Sequence, residues 1–148
     1  MLCDILNTMI TMFELLVRLL LAAALGGAIG WQRERTRHPA GMRTYALVSL
    51  GSAAFTLLSL FGFGVEDHVD PTRIASNILV GIGFLGAGII LHKGINIFGL
   101  TTAAAVWVSA AIGMATGAGQ YLIAATVCVL TFILLFIDDD KIRGAGKK

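Results

Sequence analysis

The sequence predicts an all-α fold, a polytopic membrane bundle of about five transmembrane helices with the N-terminus outside and the C-terminus cytoplasmic. The composition is 57% hydrophobic and 14% charged, whereas soluble domains carry about 25% charged residues. The mean hydropathy is +0.85, and the apolar residues lie in long runs. Such a chain cannot cover a water-facing surface, so much of its surface is expected to face lipid.

Five apolar segments approach the length of about 20 residues that a helix needs to cross a bilayer. They cover residues 13–31, 44–63, 71–91, 101–117 and 121–137. Asp70 followed by Pro71 is a typical helix start, because an acceptor side chain precedes a residue that has no N–H to satisfy. We therefore divide the chain into an N-terminal, weakly structured tail (1–12), a transmembrane domain (13–137) and a polar cytoplasmic tail (138–148).

The basic residues fix the orientation, since cytoplasmic loops are enriched in lysine and arginine. Of the 11 basic residues, five spans place one on the outer side, Arg73, and one inside the first span, Arg18. The others fall on a single face: Arg33, Arg35, Arg37, Arg43, Lys93, Lys141, Arg143, Lys147 and Lys148. A four-span alternative omits the short, threonine-containing fourth segment. It moves the basic tail outside and weakens this asymmetry, so five spans are preferred.

The glycines indicate close helix packing. Gly81–Gly86 matches G-x-G-x-x-G, but a dinucleotide site needs a preceding strand and a βαβ unit, and this segment lies inside an apolar span. Glycine-rich faces instead let helix backbones approach each other, within one subunit or between two. The expected packing residues are Gly26, Gly30, Gly81, Gly83, Gly86, Gly88, Gly113 and Gly117.

Ionisable residues inside spans are costly and are therefore candidates for function. Glu14 and Arg18 are spaced to pair on one helix face, which favours a structural role. Asp70, Arg73 and Asn77 line one face at the start of the third span. Two interpretations of Arg73 stay open: an ion pair with Asp70, or part of an outer polar pocket or ion path.

A dense charged patch follows the first span. Its members are Arg33, Glu34, Arg35, Arg37 and Arg43. It can hold the loop in the cytoplasm and contact anionic head groups, or it can be a docking surface for a partner. Trp31 and Tyr121 stand at span ends, as interfacial anchors do, whereas Trp107 falls nearer mid-span and is expected to pack inside the bundle.

No catalytic, cofactor-binding or metal-ligating constellation is visible, so we expect a non-enzymatic protein without a cofactor. His38, His68 and His92 lie in separate loops. Cys3 and Cys128 have no metal-ligand spacing. The expected partners are the lipid bilayer, another membrane protein, and a second copy of the chain in a homo-oligomer, with a dimer favoured; no nucleic-acid partner is expected.

Several blocks, in this order, resemble the MgtC/SapB family of membrane proteins over roughly residues 13–137. They are Gly26-Gly27-Ala28-Ile29-Gly30 with Gln32-Arg33-Glu34, Pro39-Ala40-Gly41-Met42-Arg43-Thr44, Asp70-Pro71-Thr72-Arg73-Ile74-Ala75, Gly81-Ile82-Gly83-Phe84-Leu85-Gly86-Ala87-Gly88, Gly99-Leu100-Thr101-Thr102-Ala103-Ala104 and Trp107-Val108-Ser109-Ala110-Ala111-Ile112-Gly113. Each block alone is a weak signal, and together they are specific.

The resemblance implies a bacterial inner-membrane protein. Family members are tied to growth at low magnesium, survival inside host cells and restraint of the F-type ATP synthase. By resemblance, the candidate functional residues are Glu34, Arg43, Asp70, Arg73, Asn77, Thr101, Thr102 and Trp107. The chain departs from the family pattern at Gln32, Asn77, Thr101 and Val108, and it is expected to be a short form without the C-terminal soluble domain of longer members.

Two functions remain open from the sequence. The first is a non-enzymatic regulator, linked to magnesium homeostasis, that contacts other membrane proteins such as the F-type ATP synthase. The second is a small transporter or channel for Mg²⁺ or another ion, with a polar path near Arg73 and Asn77. The scarcity of acidic residues in the spans disfavours the second, because hard divalent cations prefer oxygen ligands.

Overall fold

The computed structural model describes residues 2–62, 70, 72–93 and 96–136, and these residues form five α-helices and one short hairpin. The helices are α1 (Leu2–Arg35), α2 (Met42–Phe61), α3 (Thr72–Ile89), α4 (Leu100–Gly117) and α5 (Tyr121–Phe136). The hairpin pairs β1 (Leu91–Lys93) with β2 (Asn96–Phe98) antiparallel, with His92 opposite Ile97. The predicted all-α bundle of five helices is confirmed.

The helices alternate in direction along the chain, as short connections require. Gly30 of α1 lies against Met42 at the start of α2, and Arg18, nearer the start of α1, bonds to Gly117 at the end of α4. The α1–α2 connection and the hairpin therefore share one end of the bundle, here called the Arg-rich end. Thr72 at the start of α3 lies at the other end, here called the Arg73 end.

Helix α4 occupies the centre of the bundle and contacts each of the other four helices. More than half of its residues are buried, among them Val106, Ala110 and Ile112. The hydroxyl residues of this segment are explained by this position, because Thr102, Ser109 and Thr116 are all buried. Dropping the fourth span was therefore the wrong alternative.

Large apolar side chains cover the outside of the bundle, for example Leu20 on α1, Leu47 on α2, Phe84 on α3 and Leu122 on α5. Four helices, α1 to α4, are long and apolar enough to cross a membrane by length and composition, and α5 is a shorter apolar helix of 16 residues. This surface is the one that lipid would solvate.

Two local predictions were wrong. Helix α1 begins at Leu2, so residues 2–12 are helical rather than weakly structured; no Gly or Pro precedes Gly26 to interrupt the helix. The segment after the third span was expected to be a plain loop but forms the hairpin, which enters α4 through Gly99. Gly99 has φ of 88°, and a Cβ there would lie 2.4 Å from the Ile89 carbonyl oxygen, so glycine is needed.

The expected helix start at Asp70 is present. The Asp70 Oδ1 accepts hydrogen bonds from the Thr72 N–H (2.8 Å) and the Thr72 hydroxyl (2.7 Å). These bonds hold the pKa of the Asp70 carboxyl below its usual range, with Arg73 adding a smaller electrostatic effect. Pro71, the acidic segment 64–69 and the tail 138–148 lie outside the described residues.

A reporter fused at the C-terminus tests the orientation. We expect a cytoplasmic reporter enzyme to be active there and a periplasmic one to be inactive, because arginines cluster at the end where α1 meets α2. A fusion within the connection after Phe61 should give the reverse result. Periplasmic activity at the C-terminus would contradict five spans with the N-terminus outside.

Candidate functional site

A stripe of hydroxyl side chains runs the length of α2 and is buried throughout. Its members are Tyr45, Ser49, Ser52, Thr56 and Ser59. Their spacing of four, three, four and three residues keeps them on one side of the helix. Burial against other helices keeps these hydroxyl groups away from lipid, and Thr56 also donates to the Ser52 carbonyl oxygen of its own helix at 2.8 Å.

The matching stripe lies on α4, at intervals of seven residues. Thr102, Ser109 and Thr116 are each at most 1% exposed. The Ser109 hydroxyl donates to the Tyr45 carbonyl oxygen at 2.9 Å, and the Tyr45 hydroxyl donates to the Thr102 carbonyl oxygen at 3.4 Å. These bonds join α2 to α4 within the predicted membrane region.

Glycines bring the helix backbones into contact along this seam. A Cβ on Gly113 would lie 2.1 Å from the Ser49 carbonyl oxygen, and one on Gly117 would lie 2.7 Å from the Ala53 carbonyl oxygen. On α1, a Cβ on Gly26 would lie 2.6 Å from the Tyr45 carbonyl oxygen, and one on Gly30 would lie 2.6 Å from the Met42 Cα. Gly26 with Gly30 and Gly113 with Gly117 form two G-x-x-x-G pairs. They lie where α1 and α4 contact α2.

The glycines of α3 behave differently. A Cβ on Gly86 would make an ordinary contact with Ala103 at 3.7 Å, whereas one on Gly81, Gly83 or Gly88 would meet no atom within 4 Å. Packing among the described residues therefore does not explain these three glycines.

Arg33 closes the seam at the Arg-rich end. Its side chain reaches α4, where Nη2 donates to the Thr102 hydroxyl at 2.8 Å, and the residue is 4% exposed. The buried Nε has no hydrogen-bond partner among the described residues. A guanidinium buried in this way costs free energy unless it is compensated, which marks the contact between Arg33 and Thr102 as a candidate functional site.

The remaining members of the predicted charged patch are exposed. Arg33 is buried, so its inclusion in a surface patch was wrong. Arg35 stacks over the Trp31 ring, with its guanidinium carbon 4.1 Å from the ring centroid. Glu34 accepts the Met42 N–H at 3.0 Å and so caps the start of α2. Gln32 is buried beside Arg33, and its amide donates to the Leu135 carbonyl oxygen of α5 at 3.1 Å.

A second polar cluster lies at the Arg73 end, inside the first helix. Arg18 forms the predicted ion pair with Glu14. It also donates to the Gly117 carbonyl oxygen at 2.8 Å, and its guanidinium lies 5.9 Å from the Phe61 ring centroid. A cation at the end of α4 compensates the unsatisfied carbonyl groups there, so this cluster is structural.

The start of α3 carries Asp70, Arg73 and Asn77, which are all exposed. Asp70 bonds to Thr72, so the hydrogen-bonded partner of its carboxylate is not the expected Arg73. Asn77 lies on the wall of a groove between α2 and α3 with a volume of about 520 Å³. This groove adjoins the seam on α2, and Ser52 of the hydroxyl stripe lines it.

The MgtC family model matches residues 19–141, which include the contacts of α2 with α4 and of Arg33 with Thr102. The chain belongs to the MgtC family.

Curated relatives share nearly half of the aligned residues. The "Putative magnesium transporter YhiD" of Escherichia coli (strain K12) is 47% identical over 127 residues, covering 82% of this chain and 59% of that protein. Protein MgtC of Salmonella typhimurium (strain LT2) is 46% identical over 121 residues, covering 80% and 51%. Protein MgtC of Brucella abortus (strain 2308) is 47% identical over 108 residues, covering 73% and 44%. The chain thus spans about half the length of these relatives, and no solved structure matches it.

Of the candidate functional residues that the MgtC family resemblance implies, Thr102 is the one that lies in the seam between α2 and α4. Thr101 is exposed beside it, and Arg43 is exposed at the start of α2. Trp107 is 46% exposed, so its expected burial was wrong. Trp107 lies about 200° around the helix from Ser109, so it points away from the seam. The close contact between α2 and α4 leaves no room for an indole.

Sequence reasoning missed Arg33 and Tyr45 as site residues. A signal for Arg33 was available, because Gly26, Gly30 and Arg33 follow the spacing i, i+4, i+7 of one helix face. The hydroxyl spacing that begins at Tyr45 was a second signal. Each places its residue on the face that meets a neighbouring helix.

Proposed function

We propose that this MgtC family chain is a non-enzymatic bacterial inner-membrane protein of magnesium homeostasis that acts by helix contact with another membrane protein. The family, and the magnesium activity that the name of YhiD states, support the link to magnesium. The observation that carries the mode of action is a face of α3 that is exposed in the part of the chain that the structure describes. That face, here called the free face of α3, consists of Val80, Gly83, Phe84 and Ala87.

The free face has the form of a helix-docking surface. Val80 is 75% and Phe84 is 82% exposed, and a Cβ on Gly83 would meet no atom within 4 Å. Gly83 and Ala87 are four residues apart, the small-x-x-x-small spacing that lets two membrane helices approach closely. Within α3, Ile78 and Ile82 are the buried residues that hold it to the bundle.

The seam between α2 and α4 is not a candidate ion path. Gly113 meets the Ser49 backbone so closely that an ion has no room to pass between them. The F-type ATP synthase is the partner class that the family resemblance implies, and a second copy of the chain is the other candidate for the free face.

Substituting Gly83 with leucine tests this function. We expect Gly83→Leu to reduce growth of complemented cells at low magnesium, because its side chain fills the free face while open space around it leaves the fold intact. Ala125→Leu is the matched control, since Ala125 is exposed on α5, away from α3. Equal growth of Gly83→Leu and wild type, at equal protein level, would contradict contact through this face.

An alternative function is transport of Mg²⁺ or another ion, favoured by one observation: Asn77 and Ser52 both line the groove between α2 and α3. Their oxygen atoms are the ligand type that Mg²⁺ prefers. Mg²⁺ uptake by liposomes containing the purified chain separates the two functions. Uptake that is lost in Arg73→Gln would favour transport, and tight liposomes would favour helix contact.

A further inference from the structure

The groove between α2 and α3 is mostly apolar, and its polar lining residues are Ser52 and Asn77. Val48 and Phe55 of α2 face Ile74, Ile82 and Leu85 of α3 across it. Two glycines, Gly51 and Gly81, also line it, and a Cβ on either would meet no atom within 4 Å. Its volume of about 520 Å³ falls in the range of about 300–1,000 Å³ that small-molecule sites occupy.

The length of the groove matches one leaflet of a bilayer. From Ile74 to Leu85 the α3 wall rises about 16 Å, at about 1.5 Å per residue. The hydrocarbon core of a bilayer is about 30 Å thick, so one leaflet is about 15 Å deep. The groove therefore suits a single acyl chain that enters from one side of the membrane.

One end of the groove is polar and basic. Asn77 lines the groove, and Arg73 stands four residues before it, one turn closer to the start of the helix on the same face. Arg73 is exposed, and the N-terminal end of α3 favours an anion there. The carboxylate of Asp70 is close by, and its hydrogen bonds from Thr72 lower its pKa and keep it ionised. It offsets part of the Arg73 charge, so the attraction for an anion is modest.

We propose that this groove binds one acyl chain of a phospholipid whose phosphate lies beside Arg73. The phosphate matches the charge of Arg73, and positive-inside orientation places this lipid in the outer leaflet. The site does not depend on the proposed function, since its walls exclude Gly83 and the rest of the free face.

Native mass spectrometry of the purified full chain, extracted from vesicles of phosphatidylglycerol and phosphatidylcholine, tests the proposal. We expect wild type to retain one phospholipid per protomer and Gly81→Leu to retain at least fivefold less, because leucine fills the groove. Gly51→Leu fills it from the opposite wall and should act alike. Gly88→Leu is the matched control, on the same helix and in open space but outside the groove, and it should retain lipid like wild type.

The head-group contact has its own readout. We expect wild type to prefer phosphatidylglycerol over phosphatidylcholine by about three- to fivefold, the size of one basic residue near anionic lipid. Arg73→Gln should lose this preference and Arg73→Lys should keep it. Equal lipid retention in Gly81→Leu, Gly51→Leu and wild type would overturn the proposal. So would a protein dimer, rather than a lipid, that disappears in both variants.

Discussion

Replacing Gly113 with alanine is expected to lower the free energy of unfolding by about 3 kcal/mol or more, the upper range for overpacking a tight contact. The added Cβ would lie 2.1 Å from the Ser49 carbonyl oxygen and 2.8 Å from the Ser49 carbonyl carbon. Both atoms belong to backbone, so no flexible side chain can move aside, and α2 must separate from α4. Reversible unfolding of the purified chain in mixed micelles, followed by circular dichroism, measures the change.

The control for this experiment is Gly83→Ala on α3. The same substitution there meets no atom within 4 Å, and alanine is a better helix former than glycine. We expect Gly83→Ala to be neutral or stabilising by up to about 1 kcal/mol. If Gly113→Ala were tolerated as well as Gly83→Ala, the close contact between α4 and the Ser49 backbone would be refuted.

Replacing Arg33 with methionine is expected to have the second largest effect, a loss of about 1–3 kcal/mol of stability together with loss of growth at low magnesium. The change removes the guanidinium that donates to the Thr102 hydroxyl at 2.8 Å. A buried polar group left without its partner costs about 1–3 kcal/mol. Unfolding in micelles gives the stability change, and complementation of cells lacking the gene gives the functional change.

A double-mutant cycle with Thr102→Val isolates this contact. Hydrogen bonds to charged groups are worth about 1.5–3 kcal/mol, so the two substitutions should be clearly non-additive. The matched control is Arg35→Met, since Arg35 is exposed on the Trp31 ring and such a contact is worth about 0.5–1 kcal/mol. Additive effects of Arg33→Met and Thr102→Val would rule out a direct bond as the reason for the burial of Arg33.

Much of the bundle could be predicted, because the length and apolar composition of a segment identify it as a membrane helix. The start of α2 after the Arg-rich segment and the cap at Asp70 were also predictable, since charge and capping preferences are local. The extent of α1 was underestimated, because residues 2–12 are less apolar than the span but still compatible with helix. The hairpin at β1 and β2 was missed, since strands of three residues leave almost no periodic pattern.

The candidate site was harder to predict than the fold. Family resemblance pointed to Thr102 but also to the exposed Arg43 and Trp107. A charged residue in a basic segment is indistinguishable by composition from its neighbours. Arg33, Arg35 and Arg37 look alike in the sequence, yet helix geometry turns Arg33 toward α4.

The sequence by itself determined the membrane class and the helical spans, and it predicts the side of the membrane on which the basic loops lie. These properties depend on transfer of each segment between water and lipid, which is a sum over local residues. The tertiary structure alone decided that α4 is central and that Arg33 is buried. It also decided that Gly113 contacts the α2 backbone, whereas a Cβ on Gly83 would meet no atom of the described residues within 4 Å. Those outcomes depend on which helix faces which, and contact between helices is set by the shapes of distant segments rather than by the composition of any one of them.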